Sequence, residues 1–357
     1  MKRNPVLIIS DTHYHNFHQY SQYDAKGNNT RLMEILNATA RAAGHLREQG
    51  GKTIIHCGDV FHVRGSVAPS VLNPVLTLYD NLVKVGFEIY VISGNHDLES
   101  KDAEDVKSTA SALAKVGVRV INKPESFLIE GERWDFIPWV ENLSALRALI
   151  KAKPTQDKVN NLILHAPLNG VIQGLPANGL SAADFKDGHY DKVFVGHYHN
   201  HRLIEVPDTK TKLYSVGALT HQTWGDVNSD AGYVIYYPED AHDIVHYKTT
   251  APRFIKVPIE KLEDPDVLDN YVKVTGGEFE TIAEIEAVKN ALILRGAKAV
   301  IVEGFSKKPA VSRAYSASGT TEPPSIHTIL GEYVGRNYPG DDDLKDLALD
   351  ILGEVYD

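Results

Sequence analysis

The chain of 357 residues has almost no cysteine, Cys57 being the single one. One thiol excludes an internal disulfide and any zinc site built from cysteines, and it fits a reducing compartment. Long apolar runs are missing too. Nothing approaches the ~18 consecutive apolar residues of a membrane span. The apolar run near the start, Val6 to Ile9, is too short for a signal peptide and reads as a strand. There is no internal repeat. With 43% apolar and 24% charged residues the composition is that of a globular protein. The length suggests two domains, or one large one with an appendage.

Basic residues are also in short supply. Lys and Arg number 37 against 47 Asp and Glu, a net charge of −10, whereas nucleic-acid binders are usually basic. The distribution softens this. Residues 341–357 hold seven acids against Lys345, a net −6, which leaves the first 340 residues at −4. The balance therefore does not exclude DNA; it predicts that this chain alone grips DNA weakly. What the chain has in excess is histidine, 16 in all.

Short β-rich runs alternate with helical patterns through the first half, the signature of an α/β layered domain. Val6–Ile9, Lys52–Cys57, Phe87–Ser93, Val118–Ile121, Ser126–Glu130, Trp134–Ile137, Val159–Leu164 and Lys192–Val195 read as strands. Leu32, Ile35, Leu36, Thr39, Ala43 and Leu46 recur at helical spacing and stop at Gly50-Gly51. Residues 70–85 and 102–115 also suit helices. Lys212 to Tyr237 looks like a hairpin. Beyond Pro252 a strand (Phe254–Ile259), a helix (Glu280–Leu294) and a strand (Lys298–Glu303) predict a small α+β unit. A Ser/Pro/Lys-rich linker comes next. After it come two amphipathic helices, one with a stripe of Ile326, Ile329, Leu330 and Tyr333, the other with Leu344, Leu347, Ile351 and Val355.

Five polar clusters each sit at the C-terminal end of an expected strand: Asp11-Thr12-His13, Gly58-Asp59, Gly94-Asn95-His96-Asp97, His165, and Gly196-His197-Tyr198-His199. Sites in open α/β sheets form just beyond such ends, so segments distant in sequence can converge there. Side chains at i and i+2 leave a strand on one side, so Asp11 with His13, and His197 with His199, can chelate. Imidazole, carboxylate and an amide oxygen, without thiolate, favour Mn²⁺, Mg²⁺ or Fe. Seven ligands give two ions four each only if one bridges, which a carboxylate such as Asp59 can do. Two ions about 3.5–4 Å apart can activate a water and stabilise an in-line displacement at phosphorus.

The five clusters in this order resemble the pattern of the calcineurin-like metallophosphoesterase superfamily: D-x-H, G-D, G-N-H-D, H and G-H-x-H. The resemblance implies a two-layer β-sandwich flanked by helices and two divalent metal ions. It implies one ion held by Asp11, His13, Asp59 and His199, the other by Asp59, Asn95, His165 and His197. His96 would be the general acid or transition-state stabiliser, with Asp97 placed to orient it.

His62, in Gly58-Asp59-Val60-Phe61-His62, is similar to an extra histidine of SbcD-type nucleases. Tyr214 to Ala218, Trp224-Gly225-Asp226 and Gly232 to Ile235 resemble their strand-loop-strand, and Arg253-Phe254-Ile255 the entry to their capping domain. Gly217-Ala218-Leu219-Thr220 departs from that pattern by lacking a proline. The resemblance implies a nuclease (catalytic) domain over 1–250, a DNA-orienting capping domain over 251–308, a linker over 309–325 and a helical partner-docking segment over 326–357. It also implies Mn²⁺-dependent 3′-to-5′ exonuclease and single-strand endonuclease activity in DNA repair and recombination. DNA, a second copy of the chain and an SbcC-type coiled-coil ATPase would be its partners, in a bacterial or phage-infected host cytoplasm.

Other readings compete. The same metals would serve a phosphoprotein phosphatase or a small-molecule phosphodiesterase, and a non-catalytic DNA-end scaffold is a rival from another class. His15, His18, His201 and His221 are expected in solvent or beside the ligands, and His56 in the core. Tyr14, Phe17, Tyr20 and Tyr23 either pack on their own domain or stack on splayed bases.

Overall fold

Strands that read as unbroken apolar runs are buried on both faces, and a computed structural model of the chain shows what covers them. It describes residues 3–99, 108–152, 160–187, 189–238, 243–279 and 281–304, together with Leu330, Tyr333 and Val334. In chain order the elements begin with β1 (Val6–Ile9), α1 (Thr30–Glu48), β2 (Thr53–His56), α2 (Pro69–Lys84), β3 (Glu88–Ile92) and β4 (Arg119–Ile121). Next are β5 (Glu125–Ile129), β6 (Glu132–Ile137), α3 (Leu143–Lys151), β7 (Asn160–His165), β8 (Lys192–Gly196), β9 (Arg202–Glu205) and β10 (Lys212–Ser215). The last are β11 (Gly232–Tyr236), β12 (Ile244–Lys248), β13 (Phe254–Pro258), β14 (Tyr271–Thr275), α4 (Ile282–Leu294) and β15 (Ala299–Val302).

Two six-stranded sheets, ordered β12-β11-β1-β2-β3-β4 and β5-β6-β7-β8-β10-β9, form the two-layer sandwich. Their period-two alternation sorts the core into layers. Val6 and Ile8 of β1 meet Trp134, Phe136, Ile163 and Phe194 of the other sheet between the layers. Leu7 and Ile9 face the opposite way, onto Leu32, Ile35 and Leu46 of α1 and Val71, Val75 and Tyr79 of α2. On the outer face of the second sheet, Leu162, Leu164, Val193 and Val195 cover Leu146 and Ile150 of α3. The stripe expected on α1 is buried, and its start is capped by the Asn29 side chain, which accepts from Arg31 and Leu32 N–H.

The expected hairpin over Lys212–Tyr237 does not form. β10 pairs in parallel with β8 and antiparallel with β9, whereas β11 pairs with β1 and β12 of the other sheet. The turn-rich loop between them crosses from layer to layer, carrying residues 216–231 over the edge where the polar clusters lie. A third, parallel sheet, β13-β14-β15, packs α4 through Leu292 onto Val257, Val272 and Val274. Its middle strand, β14, is absent from the sequence-based expectation although Tyr-Val-Lys-Val-Thr alternates well. The chain divides into two compact units, Met1–Ser306 and Lys307–Asp357. Most of the second unit, and with it both terminal amphipathic stripes apart from Leu330 and Tyr333, lies outside the described residues; so do residues 102–107 of the expected 102–115 helix, and residues 109–115 of that stretch fall in a 3₁₀ helix, Thr109–Val116.

The two layers are tied by one buried carboxylate. Glu132 of β6 accepts from Tyr236 OH of β11 at 2.7 Å, Asn161 Nδ2 of β7 at 2.9 Å and Arg3 Nη1 at 2.8 Å. Glu132→Ala strands those donors, and urea denaturation should report a loss of roughly 2–4 kcal/mol, since an orphaned buried polar group costs about 1–3 kcal/mol.

Candidate metal centre

Within each sheet the strands that carry the polar clusters are parallel neighbours: β1, β2 and β3 in one, β7 and β8 in the other. The residues just past their C-terminal ends therefore emerge side by side, and the structure brings all seven expected ligands together. Candidate ligand atoms of Asp11, His13 and His199 lie within 4.8 Å of one another, as do those of Asp59, His165 and His197. Asn95 joins the second group through Oδ1, which is 3.1 Å from His165 Nε2 and 3.0 Å from His197 Nδ1.

Asp59 stands between the groups. Its Oδ1 accepts from the backbone N–H of His96 at 2.8 Å, which turns Oδ2 toward both histidines: 3.6 Å from His13 Nε2 and 3.4 Å from His165 Nε2. The loops that hold this geometry are strained. Asp11 (φ 49°), His13 (φ 45°), Asp59 (φ 55°) and His197 (φ 114°) all adopt positive φ, which non-glycine residues avoid. Packing leaves no freedom to relax, because a Cβ on Gly94 would collide with the Asp59 carboxylate and backbone nitrogen.

The donor set fits cations. His165 Nδ1 lies 2.7 Å from the Cys57 carbonyl, which only accepts, so Nδ1 carries the proton. In the neutral ring, the Nε2 lone pair then faces two further acceptors, Asn95 Oδ1 and Asp59 Oδ2. His199 repeats the device: its Nδ1 is 2.7 Å from Asp226 Oδ1, freeing Nε2. A carboxylate or carbonyl behind an imidazole fixes the tautomer and raises its basicity as a ligand. The electrostatics agree. Burial works against the charge on His165, yet the Asp59 carboxylate, then Asp11, pushes it up to about 9. Burial likewise opposes ionisation of Asp59, but His165 and His13 hold it well below the usual carboxylate range. Burial pushes Asp11 up from the ordinary carboxylate value against the pull of His165, and a divalent ion beside it would supply the positive charge that favours its ionised form.

His96 is half-buried, edge-on to His13 at 4.8 Å between ring centroids, with Nδ1 2.7 Å from the backbone oxygen of His62. The expected Asp97–His96 contact is not formed. The Asp97 carboxylate instead accepts from the N–H groups of Gly94, Val60 and Phe61, at 2.9, 3.2 and 3.0 Å. It staples the loops after β2 and β3, and so positions His96 only through the backbone. The reason is steric: Asp97 is fully buried beneath the loop while His96 points out of it. His62 reaches the site, stacked on His96 at 5.7 Å and grouped with His13 and His96.

Elsewhere, His221 is buried and structural, bonded to the Ser229 carbonyl and the Phe254 N–H. His201 stacks on His246 at 3.9 Å, away from the ligands, and His56 sits in the core beside Thr12. Three contributors were not assigned from sequence. Asp226 orients His199. Gln222 Nε2 donates to the Asp11 carbonyl at 2.8 Å. Trp139 stacks on His197 at 5.4 Å. Trp139 carried a signal, since it lies just past the C-terminal end of another parallel strand, β6; Gln222 carried none.

A family model of the calcineurin-like phosphoesterases matches residues 4–201. Exonuclease subunit 1 of Enterobacteria phage T4 is 23% identical over 330 residues, 90% of this chain and 91% of its own. Among solved structures, a dimetal phosphatase from Danio rerio is 10% identical with a TM-score of 0.46, covering 71% of this chain and 98% of its own. The protein TT1561 of Thermus thermophilus is 12% identical with a TM-score of 0.41, covering 70% and 99%.

Asp226 provides the test of the site's second layer. Asp226→Ala is expected to weaken divalent-ion binding by about 10–100-fold, read by titration calorimetry with Mn²⁺, with little change in far-UV circular dichroism.

Proposed function

Since the chain belongs to the calcineurin-like phosphoesterase family, whose members hydrolyse phosphoesters at a dinuclear metal site, we propose that it is a metal-dependent DNA nuclease, one subunit of a larger complex. The observation that carries this reading is the phage T4 relative. That protein is a subunit of an exonuclease, and the likeness to it runs over 90% of this chain, far beyond residues 4–201. A free-standing phosphatase, the main rival, has no need of the residues after 250.

In this reading Asp11, His13, Asp59 and His199 hold one ion, and Asp59, Asn95, His165 and His197 the other. The donors are imidazole, carboxylate and amide, which suits Mn²⁺ ahead of Mg²⁺ or Fe. When bound, the ions supply Lewis acidity toward the phosphodiester and lower the pKa of a water enough for attack at neutral pH. The protein's own part is orientation and proton delivery. With Nδ1 donating to the His62 carbonyl, His96 turns Nε2 toward the substrate; as an imidazolium it carries a second proton there, which passes to the leaving 3′ oxygen and leaves the ring neutral with Nδ1–H. His62, stacked against it, keeps that ring from swinging. The Asp226–His199 and Cys57–His165 contacts hold two ligand rings in register. Residues 251–308 orient DNA, and 326–357 dock an SbcC-type ATPase while the nuclease domains pair as a homodimer.

The test is cleavage with Mn²⁺ and with Mg²⁺, side by side, of 3′-ended duplex DNA, single-stranded DNA and bis(p-nitrophenyl) phosphate. Mn²⁺-dependent shortening of DNA from its 3′ ends is expected; hydrolysis of the small diester alone, with and without an ATPase partner, rejects the nuclease reading. His96→Ala should keep both metals by elemental analysis and lose about 10²–10⁴-fold in rate, the usual contribution of a general acid. Deleting 323–357 should abolish co-purification with the ATPase and leave metal content unchanged.

A further inference from the structure

Beside the metal centre lies a cavity of about 440 Å³ that none of the chemistry above uses. Its floor continues the two loops that carry Asp11, His13 and Asp59. Tyr14 and Phe61, joined by a β-bridge, lie at its base with Val71, all three buried. Tyr23 (63% exposed) and Val63 (40% exposed) stand on its rim, and Val67 lines its wall. Of the four aromatics in the first loop, three are spoken for within the fold. Tyr14 OH bonds Thr39 at 2.7 Å, Phe17 lies under the Arg31 guanidinium at 4.3 Å, and Tyr20 packs on Trp224, Phe254 and Tyr271. Tyr23 alone is left in solvent.

The polar side chains along the cavity are His15, Asn16, His18 and Ser66, and Asn16 is held by Ser70, its Nδ2 donating to Oγ at 2.8 Å. An apolar floor under an exposed aromatic rim matches a flat heterocycle that can stack on that rim. A row of rings connects the cavity to the ligands: His15, which lines it, is 5.1 Å from His62, and His62 is 5.4 Å from His13.

We propose that this cavity is a nucleobase site, taking the unstacked base of a nucleotide next to the scissile phosphate, with Tyr23 stacking on the base. The assignment rests on the nuclease reading given above. It makes the enzyme dependent on a base beside the cleaved bond, whichever of the four it is, because every base has a π-face.

The experiment compares oligonucleotides that carry a base or an abasic residue on either side of the cleaved bond, with Mn²⁺ and the full chain. One of the two abasic positions should lower kcat/KM by roughly tenfold, within the range of base–aromatic stacking. Val67→Trp, which fills the slot, and Tyr23→Ala, a surface change that leaves the core intact, should both bring the base-bearing substrate down toward the abasic rate. Metal content and Tm check that each variant folds. Independently of turnover, 2-aminopurine at the sensitive position should lose fluorescence on binding wild-type protein in EDTA, and much less with either variant. Equal cleavage of base-bearing and abasic DNA by the wild type overturns the proposal while leaving the nuclease reading intact. So does a change in oligomeric state in Val67→Trp, which would make the cavity a contact between chains. Hydrolysis of bis(p-nitrophenyl) phosphate without cleavage of any oligonucleotide removes the nuclease reading and the base site together.

Discussion

The carboxylate of Asp59 is the point on which the active edge of this molecule turns. One oxygen is held by the His96 N–H, and the other is thereby delivered between His13, in the loop after β1, and His165, at the end of β7 in the other sheet. A carboxylate fully removed from water is costly unless charge or hydrogen bonds compensate it. Here the compensation comes from both layers of the sandwich at once. The same logic holds for Asp11, whose two oxygens accept from the backbone N–H of His197, across the layer boundary, and from Ser10 Oγ. Neither sheet alone can satisfy these groups, so the site and the packing of the sandwich are one structural problem.

That dependence explains where strain is tolerated. Four of the seven ligand residues sit at positive φ, a conformation costing on the order of 1–3 kcal/mol each. Such a cost persists only where the surroundings over-determine the backbone. The over-determination is visible in the Asp97 carboxylate binding three backbone N–H groups, in the close approach of Gly94 to Asp59, and in the inter-sheet core of Trp134, Phe194 and Tyr236 behind the loops. Large rings fill the space between the layers; Trp134 stacks on Phe194 at 5.9 Å, and Glu132 ties the same region with three hydrogen bonds. A rigid sandwich lets loops hold ligand atoms in unfavourable backbone conformations.

Electrostatics gives the negative chain a way to meet a negative substrate. More than half of the −10 lies in the last 17 residues, and the carboxylates at the site are set to gather cations, which bring positive charge to the place where a phosphoester must sit. The long crossing loop between β10 and β11 serves the same end. By leaving one sheet and entering the other it brings Gln222 under Asp11 and Asp226 behind His199. It also carries Trp224 onto Phe254 at the start of the third sheet.

The amino-acid sequence by itself determined the strands and the polar clusters at their ends. Apolar runs such as Val6–Ile9 and Leu162–Leu164 record burial on both faces, and a chelating pair like His197 and His199 records the period of a strand; both are local properties, legible without a partner. It also carried the ligand residue types, because metal chemistry restricts them. Tertiary structure alone decided which neighbour each group meets. Asp97 comes directly after His96 yet turns away into the loop beneath it, Lys212–Tyr237 has the alternation of a hairpin yet splits between two sheets, and Asp226 finds His199 across 27 residues. The physical reason is that periodicity fixes the direction of a side chain relative to its own strand. Its partners depend on which strands lie side by side, and that is settled by burying the large inter-sheet side chains and by satisfying every buried polar group together.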